Sequence, residues 1–365
     1  MAKAKPIKLG MVGVGRAGWL MHCPELAPFK DKFRIVAACD IVKAKRDKIA
    51  DKYGCKTYAN IKDLVADPEV ELVDIATRSV DHYRHAAMAL KAGKDVLIEK
   101  PMTVSYAEAR RLQGLAKKSK GNLYVRHNRR FDPDFLHVRE IIASGVLGDI
   151  YEIKLARMGY ARRDDWQTLI APGGGQLLNW GPHIVDHAMR FLGAPVAKMW
   201  SDLKLVAAVG DAEDHLKIVL TGTNGRVVEI QISGGSAVPQ PEYIVLGTKG
   251  GLVCAGGKIT LKYLDPKKKP GARKVNPGDP GDSFGSHDKL DWVEKTIPIK
   301  PKKSYDMWEE LYKAIRKGGK YPITLDEAVG NMKVISAARR GTRFALGAKK
   351  KRTAPKKKAA SGKKK

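Results

Sequence analysis

The chain has 365 residues, 43% apolar and 29% charged, which is enough for two domains with sizeable cores and excludes disorder over most of its length. No window approaches the roughly 18 apolar residues of a bilayer span, and the basic N-terminus runs into a strand rather than an apolar export segment, so a cytoplasmic protein without membrane contact is expected. The net charge is +29; ten positives, nine Lys and Arg352, lie between Lys349 and Lys365, and subtracting them leaves +19 on residues 1–348, so the body by itself favours anionic partners.

In chain order, the first region alternates short apolar runs with helical stretches. The runs are 7–12, 35–39, 72–76, 96–98 and 123–125. Near-continuous apolar runs at βα spacing predict a parallel sheet covered on both faces. Ala86, Ala89 and Leu90 recur at helical spacing before Gly93, a helix stop. Ser105 and Glu108 form a capping box that opens the next helix.

Beyond about Gly148 the pattern alternates. Ile153 and Leu155 are followed by Leu216, Ile218 and Leu220, then Asn224-Gly225, then Val228, Ile230 and Ile232. The Asn-Gly pair predicts a hairpin with a type I′ turn. Helices are expected over 182–192 and from Thr324 and Glu327, a second capping box, to about Leu346. Residues 265–303, rich in Pro, Lys, Gly and Asp, read as a long surface loop. The fold class is thus an α/β Rossmann domain followed by an α+β domain with an open, mostly antiparallel sheet. The boundaries are 1–125, 126–346 and a disordered Lys-rich tail over 347–365.

Three stretches carry chemistry. Gly13-Val14-Gly15-Arg16-Ala17-Gly18 follows a strand and opens a helix. In G-x-G-x-x-G the first Gly makes a tight turn, the second admits a pyrophosphate and the third lets helix pack on strand. Helix N–H groups then face the anion. Asp40, 22 residues beyond Gly18, ends the second strand where an acid accepts from a ribose. Its charge repels a 2′-phosphate and favours NAD over NADP, while Lys43, Lys45 and Arg46 work the other way. Second, Glu99-Lys100-Pro101 ends an apolar run, at the edge where open sheets bind ligands. Lys100 would stabilise an alkoxide there and Glu99 would hold Lys100. Third, Gly173-Gly174-Gly175 leads through Asn179 to Pro182-His183. His183 suits a general base, because its ordinary pKa lies near neutral. His187 follows one turn on, but no third ligand accompanies the pair, so no metal is expected. Cys23, Cys39, Cys55 and Cys254 form no C-x-x-C and read as free thiols of a reducing compartment.

Together with Ala76-Thr77 leading to His85, Lys91-Ala92-Gly93-Lys94 and Arg129-Arg130-Phe131-Asp132-Pro133, these stretches make residues 6–346 resemble the glucose–fructose oxidoreductase/inositol dehydrogenase (Gfo/Idh/MocA) family. The resemblance implies a nicotinamide cofactor, NAD with NADP as the alternative, and sugar, polyol or related substrates. It implies an open sheet that mediates a homo-oligomer, dimer or tetramer. Lys100 matches the catalytic lysine and His183 the catalytic histidine, with Asn179 where many members have Asp. Asn can hydrogen-bond but carries no charge and relays no proton. The cofactor set is Gly13, Gly15, Arg16, Gly18, Asp40, Thr77, His85, Glu99 and Lys100; the substrate set is Lys100, Tyr160, Arg162, Trp166, Asn179 and His183. The expected function is an NAD-dependent oxidoreductase acting on a CH–OH group of a sugar, polyol or sugar derivative. A redox-neutral, NAD-dependent glycosidase of the same family is the alternative. A third reading is a non-catalytic cofactor-binding protein whose tail, Lys349 to Lys365, makes weak, sequence-independent contact with nucleic acid.

Overall fold

A computed structural model describes residues 5–345, apart from 269, 273, 276, 279–288 and 302–305. The expected tail, 347–365, lies outside the described residues.

The first region runs β1 (Ile7–Val12), α1 (Cys23–Leu26), β2 (Phe33–Cys39), α2 (Lys43–Tyr53), β3 (Lys56–Tyr58), α3 (Ile61–Ala66), β4 (Leu72–Ile75), α4 (His82–Lys91), β5 (Asp95–Glu99), α5 (Tyr106–Ala116) and β6 (Leu123–Arg126). All six strands are parallel, in the order β3-β2-β1-β4-β5-β6. Direction of winding reverses between β1 and β4, and a crevice opens beyond their carboxyl ends. Each predicted run lies on a strand. β3 escaped notice because three residues with no buried side chain leave no apolar signal. At α5 the capping box is half made: Ser105 Oγ accepts the Glu108 N–H, but Glu108 Oε2 accepts from Val104 N–H instead of Ser105.

The second region runs α6 (Pro133–Ala143), β7 (Ile150–Met158), α7 (Gln176–Asn179), α8 (Gly181–Leu192), β8 (Val196–Lys204), β9 (His215–Gly222), β10 (Val227–Ser233), β11 (Tyr243–Gly247), β12 (Gly250–Ala255), β13 (Lys258–Leu264), β14 (Trp292–Pro298), α9 (Met307–Lys317) and α10 (Leu325–Arg339). Its eight-stranded sheet has the order β14-β13-β12-β11-β7-β10-β9-β8, with β7 and β10 the one parallel pair. Alternation puts Ile153, Leu155, Ile218 and Ile230 into the core shared with α8 and α10.

Three expectations need correction. The β9–β10 hairpin forms, but its turn is not type I′. Positive φ is confined to Gly225 (81°), and Gly222 N–H closes a three-residue loop on Arg226 O at 2.8 Å. The stretch 265–303 is not all loop: β14 pairs antiparallel with β13, with Val293 and Ile297 turned to the core. β14 is an edge strand, and its adjacent charges, Glu294 and Lys295, are of the kind that resists further pairing. The last helix has its full capping box at Thr324 and Glu327 but ends at Arg339, where Arg340 turns extended (ψ 131°).

The end of the chain returns to the first sheet. Trp308, Leu311 and Tyr312 of α9 share a buried cluster with Ile7, Leu9 and Phe33, and Phe33 meets Trp308 edge-on at 5.5 Å. Truncating such a Trp costs roughly 3–5 kcal/mol. Among the described residues no helix is long and apolar enough to cross a membrane. All four cysteines are buried and unpaired.

Candidate active site

The glycine turn after β1 uses its three glycines in three ways. Gly13 has φ 96°, and a Cβ there would lie 2.7 Å from Ala76 O. A Cβ on Gly18 would lie 2.2 Å from Gly13 O, so only Gly lets helix and turn approach. At Gly15 a Cβ would meet nothing, because the position faces open crevice. The helix that follows is widened at first: a π-helical turn over Gly18–His22 precedes α1.

Asp40 stands at the far end of this turn. Its Oδ2 accepts the Val14 N–H and its Oδ1 the Val42 N–H, both at 2.9 Å. Arg46 donates to Asp40 O at 2.7 Å, and Lys43 pairs with Asp47 at 2.8 Å. Lys45 Nζ is 3.8 Å from Asp40 Oδ2. Part of the basic cluster is therefore spent on neighbouring oxygens.

At the end of β5 the Lys100–Pro101 bond is cis. Lys100 Nζ donates to Asn179 O at 3.1 Å. Burial, assisted by Arg126, Arg129 and Arg16, moves its pKa down, against the pull of Glu99. Glu99 does not grip the ammonium by a hydrogen bond. Its Oε2 accepts the Lys100 main-chain N–H at 3.0 Å, while Oε1 accepts from Arg126 at 2.8 Å and from His22 Nε2 at 3.0 Å. Burial alone would raise Glu99; Arg126 and His22 outweigh it and hold the carboxyl well below its usual range. His22 Nδ1 in turn donates to Asp74 Oδ2 at 2.7 Å. Burial would lower this imidazole, but Asp74 and Glu99 push it up to about 9. Arg126 also pairs with Glu25, which accepts from Trp308 Nε1 at 2.9 Å. A buried charge network thus connects α9 to the base of Lys100.

On the other wall, Gly173 (φ 80°) and Gly175 (φ 99°) turn the chain into α7. A Cβ at Gly175 would strike Glu213, whose Oε1 accepts the Leu177 N–H at 3.0 Å. His183 is 5% exposed, and among the described residues its Nδ1 has no partner. Burial, then Lys100, His127 and Arg129, depress its pKa well below 6.5, so it is neutral. Asn179 does not orient it: Asn179 Oδ1 accepts from Gln167 Nε2 at 3.2 Å. His187 is committed, with Nδ1 on Tyr243 Oη at 3.1 Å and Nε2 on Arg129 O at 2.9 Å.

Between these walls lies a crevice of about 1050 Å³. Gly13, Gly15, Arg16, Asp40, Thr77, His85, Glu99, Lys100, Trp166 and Asn179 line it. Gly18 lies beneath the turn and His183 behind the wall. Tyr160 and Arg162 are exposed and do not line it, because the chain there leaves β7 along the surface. His85 Nε2 takes a hydrogen bond from Arg84 and its Nδ1 meets Thr77 Oγ1, both at 3.1 Å; burial and then Arg84 lower its pKa to about 4. Sequence reasoning missed Asp165 and Gln167, which receive Arg16 across the crevice at 3.1 and 2.9 Å. It also missed His22 and Asp74. An acid inside the apolar run 72–76 was the available signal. A turn that admits backbone close to an anion, an acid at β2 and a cation at β5 fit a dinucleotide.

Residues 7–127 match the oxidoreductase family with NAD-binding Rossmann fold, GFO/IDH/MocA, and residues 135–253 match the GFO/IDH/MocA C-terminal domain. An oxidoreductase of Schizosaccharomyces pombe is 32% identical over 318 residues, 82% of this chain and 84% of the relative. The scyllo-inositol 2-dehydrogenase (NADP(+)) IolW of Bacillus subtilis is 28% identical over 92% of this chain and 94% of its own. The solved structure of the Bacillus subtilis oxidoreductase yvaA superposes with a TM-score of 0.78 at 22% identity, covering 93% of this chain and 96% of that one, a likeness of fold.

Proposed function

The chain belongs to the Gfo/Idh/MocA family of NAD(P)-binding oxidoreductases, and from that premise we propose a dehydrogenase acting on a CH–OH group of a sugar, polyol or sugar derivative, with NAD preferred. The nicotinamide, when bound, supplies or accepts the hydride. Lys100 binds the reacting oxygen and stabilises the alkoxide that develops as hydride leaves. His183, buried behind the Asn179 wall, is the base that takes the hydroxyl proton in oxidation and returns it in reduction once the wall admits the substrate. Glu99, fixed by His22 and Arg126, sets the backbone at Lys100. The observation that carries this reading is that a buried cation, Lys100, lines the crevice and bonds to the main chain of Asn179, while a neutral histidine with an unpartnered Nδ1 lies buried behind that wall. The relative from Bacillus subtilis is named for a cyclitol, which supports a polyol class. Asp40, beside the ribose end of the crevice, supports NAD.

Smaller proposals accompany it. The domain boundary lies at 125/126, one residue before β6 ends at Arg126. A homo-oligomer forms through the open face of the second sheet. Lys349 to Lys365 offer weak contact to nucleic acid, and the four free thiols suit the cytoplasm.

Separate titrations with NADH and NADPH, followed by nicotinamide fluorescence, test the cofactor. A screen of sugars, polyols and glycosides with NAD tests the reaction. Saturable NADH binding ahead of NADPH, with net NADH formation on a polyol, is expected. Release of sugar without net NADH would move the assignment to the redox-neutral glycosidase, and binding of neither nucleotide would overturn it.

A further inference from the structure

Around Trp180, between Asn179 and His183, positive charge gathers that nearby acids match only in part. The Arg129 guanidinium stacks 4.6 Å from the ring centroid and that of Arg157 4.2 Å from it. The His183 ring lies 5.8 Å away, edge-on. One residue before Trp180, Asn179 O receives Lys100 Nζ. Nearby carboxylates are already engaged. Glu99 is held by His22 and Arg126, Asp165 by Arg16 and Arg163, and Asp132 by Arg129. Asn179 brings no charge. Arg157 is exposed, one residue before the end of β7, and among the described residues it has no carboxylate partner; like Arg129 and Trp180 it lies beside the Asn179 wall and does not line the crevice. Arg129 keeps 40% of its side chain exposed even with Asp132 beside it.

Asp132 answers Arg129 but not Arg157, so two guanidinium groups held against one indole, beside a lysine, carry more positive charge than one carboxylate balances. Held this way they are pre-oriented forks, suited to a carboxylate or phosphate. We infer that the substrate carries an anionic group, carboxylate or phosphate, bound by Arg157 and Arg129 beside Trp180, next to the Asn179 wall of the crevice, while its CH–OH group faces Lys100. The inference rests on the nicotinamide-dependent reading above and adds the charge class of the substrate. Stacking on Trp180 as packing alone is the competing explanation for both arginines.

The test uses the full chain saturated with NADH and three probes that share a hexose ring: D-glucose, D-glucuronate and D-glucose 6-phosphate, each titrated by calorimetry. At least one acid is expected to bind roughly tenfold or more tighter than glucose, with an advantage that shrinks as salt is raised. The carboxylate and phosphate arms decide which anion is meant. Arg157→Gln is expected to remove most of the advantage, with NADH affinity kept as the control for folding, and Arg157→Lys to restore part of it. Equal affinity for the three probes, no binding of either acid, or an acid preference untouched by Arg157→Gln and by Arg129→Gln overturns the inference while NADH binding stands. Loss of NADH binding in the unmutated protein overturns the nicotinamide reading beneath it as well.

Discussion

Lys100 Nζ donates to the main-chain carbonyl of Asn179 at 3.1 Å, so the end of the Rossmann strand β5 and the end of α7 are joined across the crevice by a single hydrogen bond. The acceptor is backbone, not the Asn179 side chain. Replacing Asn179 therefore leaves this bond in place, whereas replacing Lys100 removes it.

Lys100→Ala should lower turnover by about 10²-fold or more and change NADH affinity little, because a cation aimed at a developing alkoxide acts in the transition state. Steady-state kinetics beside NADH titration checks this. Comparable loss of NADH affinity with normal turnover sinks the assigned role.

His22 gives stability a pH dependence. Its folded pKa, about 9, lies above the ordinary 6.5. The folded state therefore binds the extra proton, and the stabilisation is fully present below 6.5 and lost as pH rises through 9. Its size is of order 3 kcal/mol. His183 and His127 are depressed, so unfolding takes up protons below 6.5 and stability also falls on the acid side. Thermal stability should thus be greatest near pH 6.5 and fall on either side of it. His22→Gln should unfold earlier at neutral pH, because it leaves Asp74 and Glu99 buried without their cation, and should lose the alkaline descent. An identical alkaline slope in both proteins would count against the pairing.

Asp40→Ser should raise the NADPH-to-NADH affinity ratio by tenfold or more. It should also lower the melting temperature, since two main-chain N–H groups, of Val14 and Val42, lose their acceptor. If the melting temperature falls and the ratio stays put, Asp40 serves the turn and not the ribose.

Arg16 reaches over the crevice to Asp165 and Gln167 with 55% of its side chain exposed. An exposed pair of this kind contributes about 0–1 kcal/mol. Arg16→Ala should leave the melting temperature nearly unchanged but speed NADH dissociation several-fold in stopped-flow displacement. An unchanged off-rate would make the bridge incidental.

Truncation after Ala348 should abolish any retention on DNA at low salt, because the removed segment offers Lys–phosphate contacts and no aromatic stacking. Retention by the shortened protein would assign binding to the +19 body.

The parallel strands of the first region could be read from the sequence because strands buried on both faces are written as continuous apolar runs, and the glycine turn because each glycine answers a local steric demand. The helix over 182–192 was equally plain, closed by Gly193 in the left-handed region (φ 65°). Local rules reach no further than their own window. A three-residue strand such as β3, or a charged edge strand such as β14, is made by its neighbour's hydrogen bonds rather than by its own composition. The same limit hid most of the chemistry. That His22, Asp74, Glu99 and Arg126 form one buried network, that Arg129 and Arg157 meet on Trp180, and that Tyr160 and Arg162 stay outside the crevice are distances between residues far apart in sequence. Sequence determined which side chains carry chemistry at strand and helix ends, since spacing sets backbone geometry. Tertiary structure alone decided which of them touch, since charge pairing and burial depend on what the other elements bring within a few ångströms.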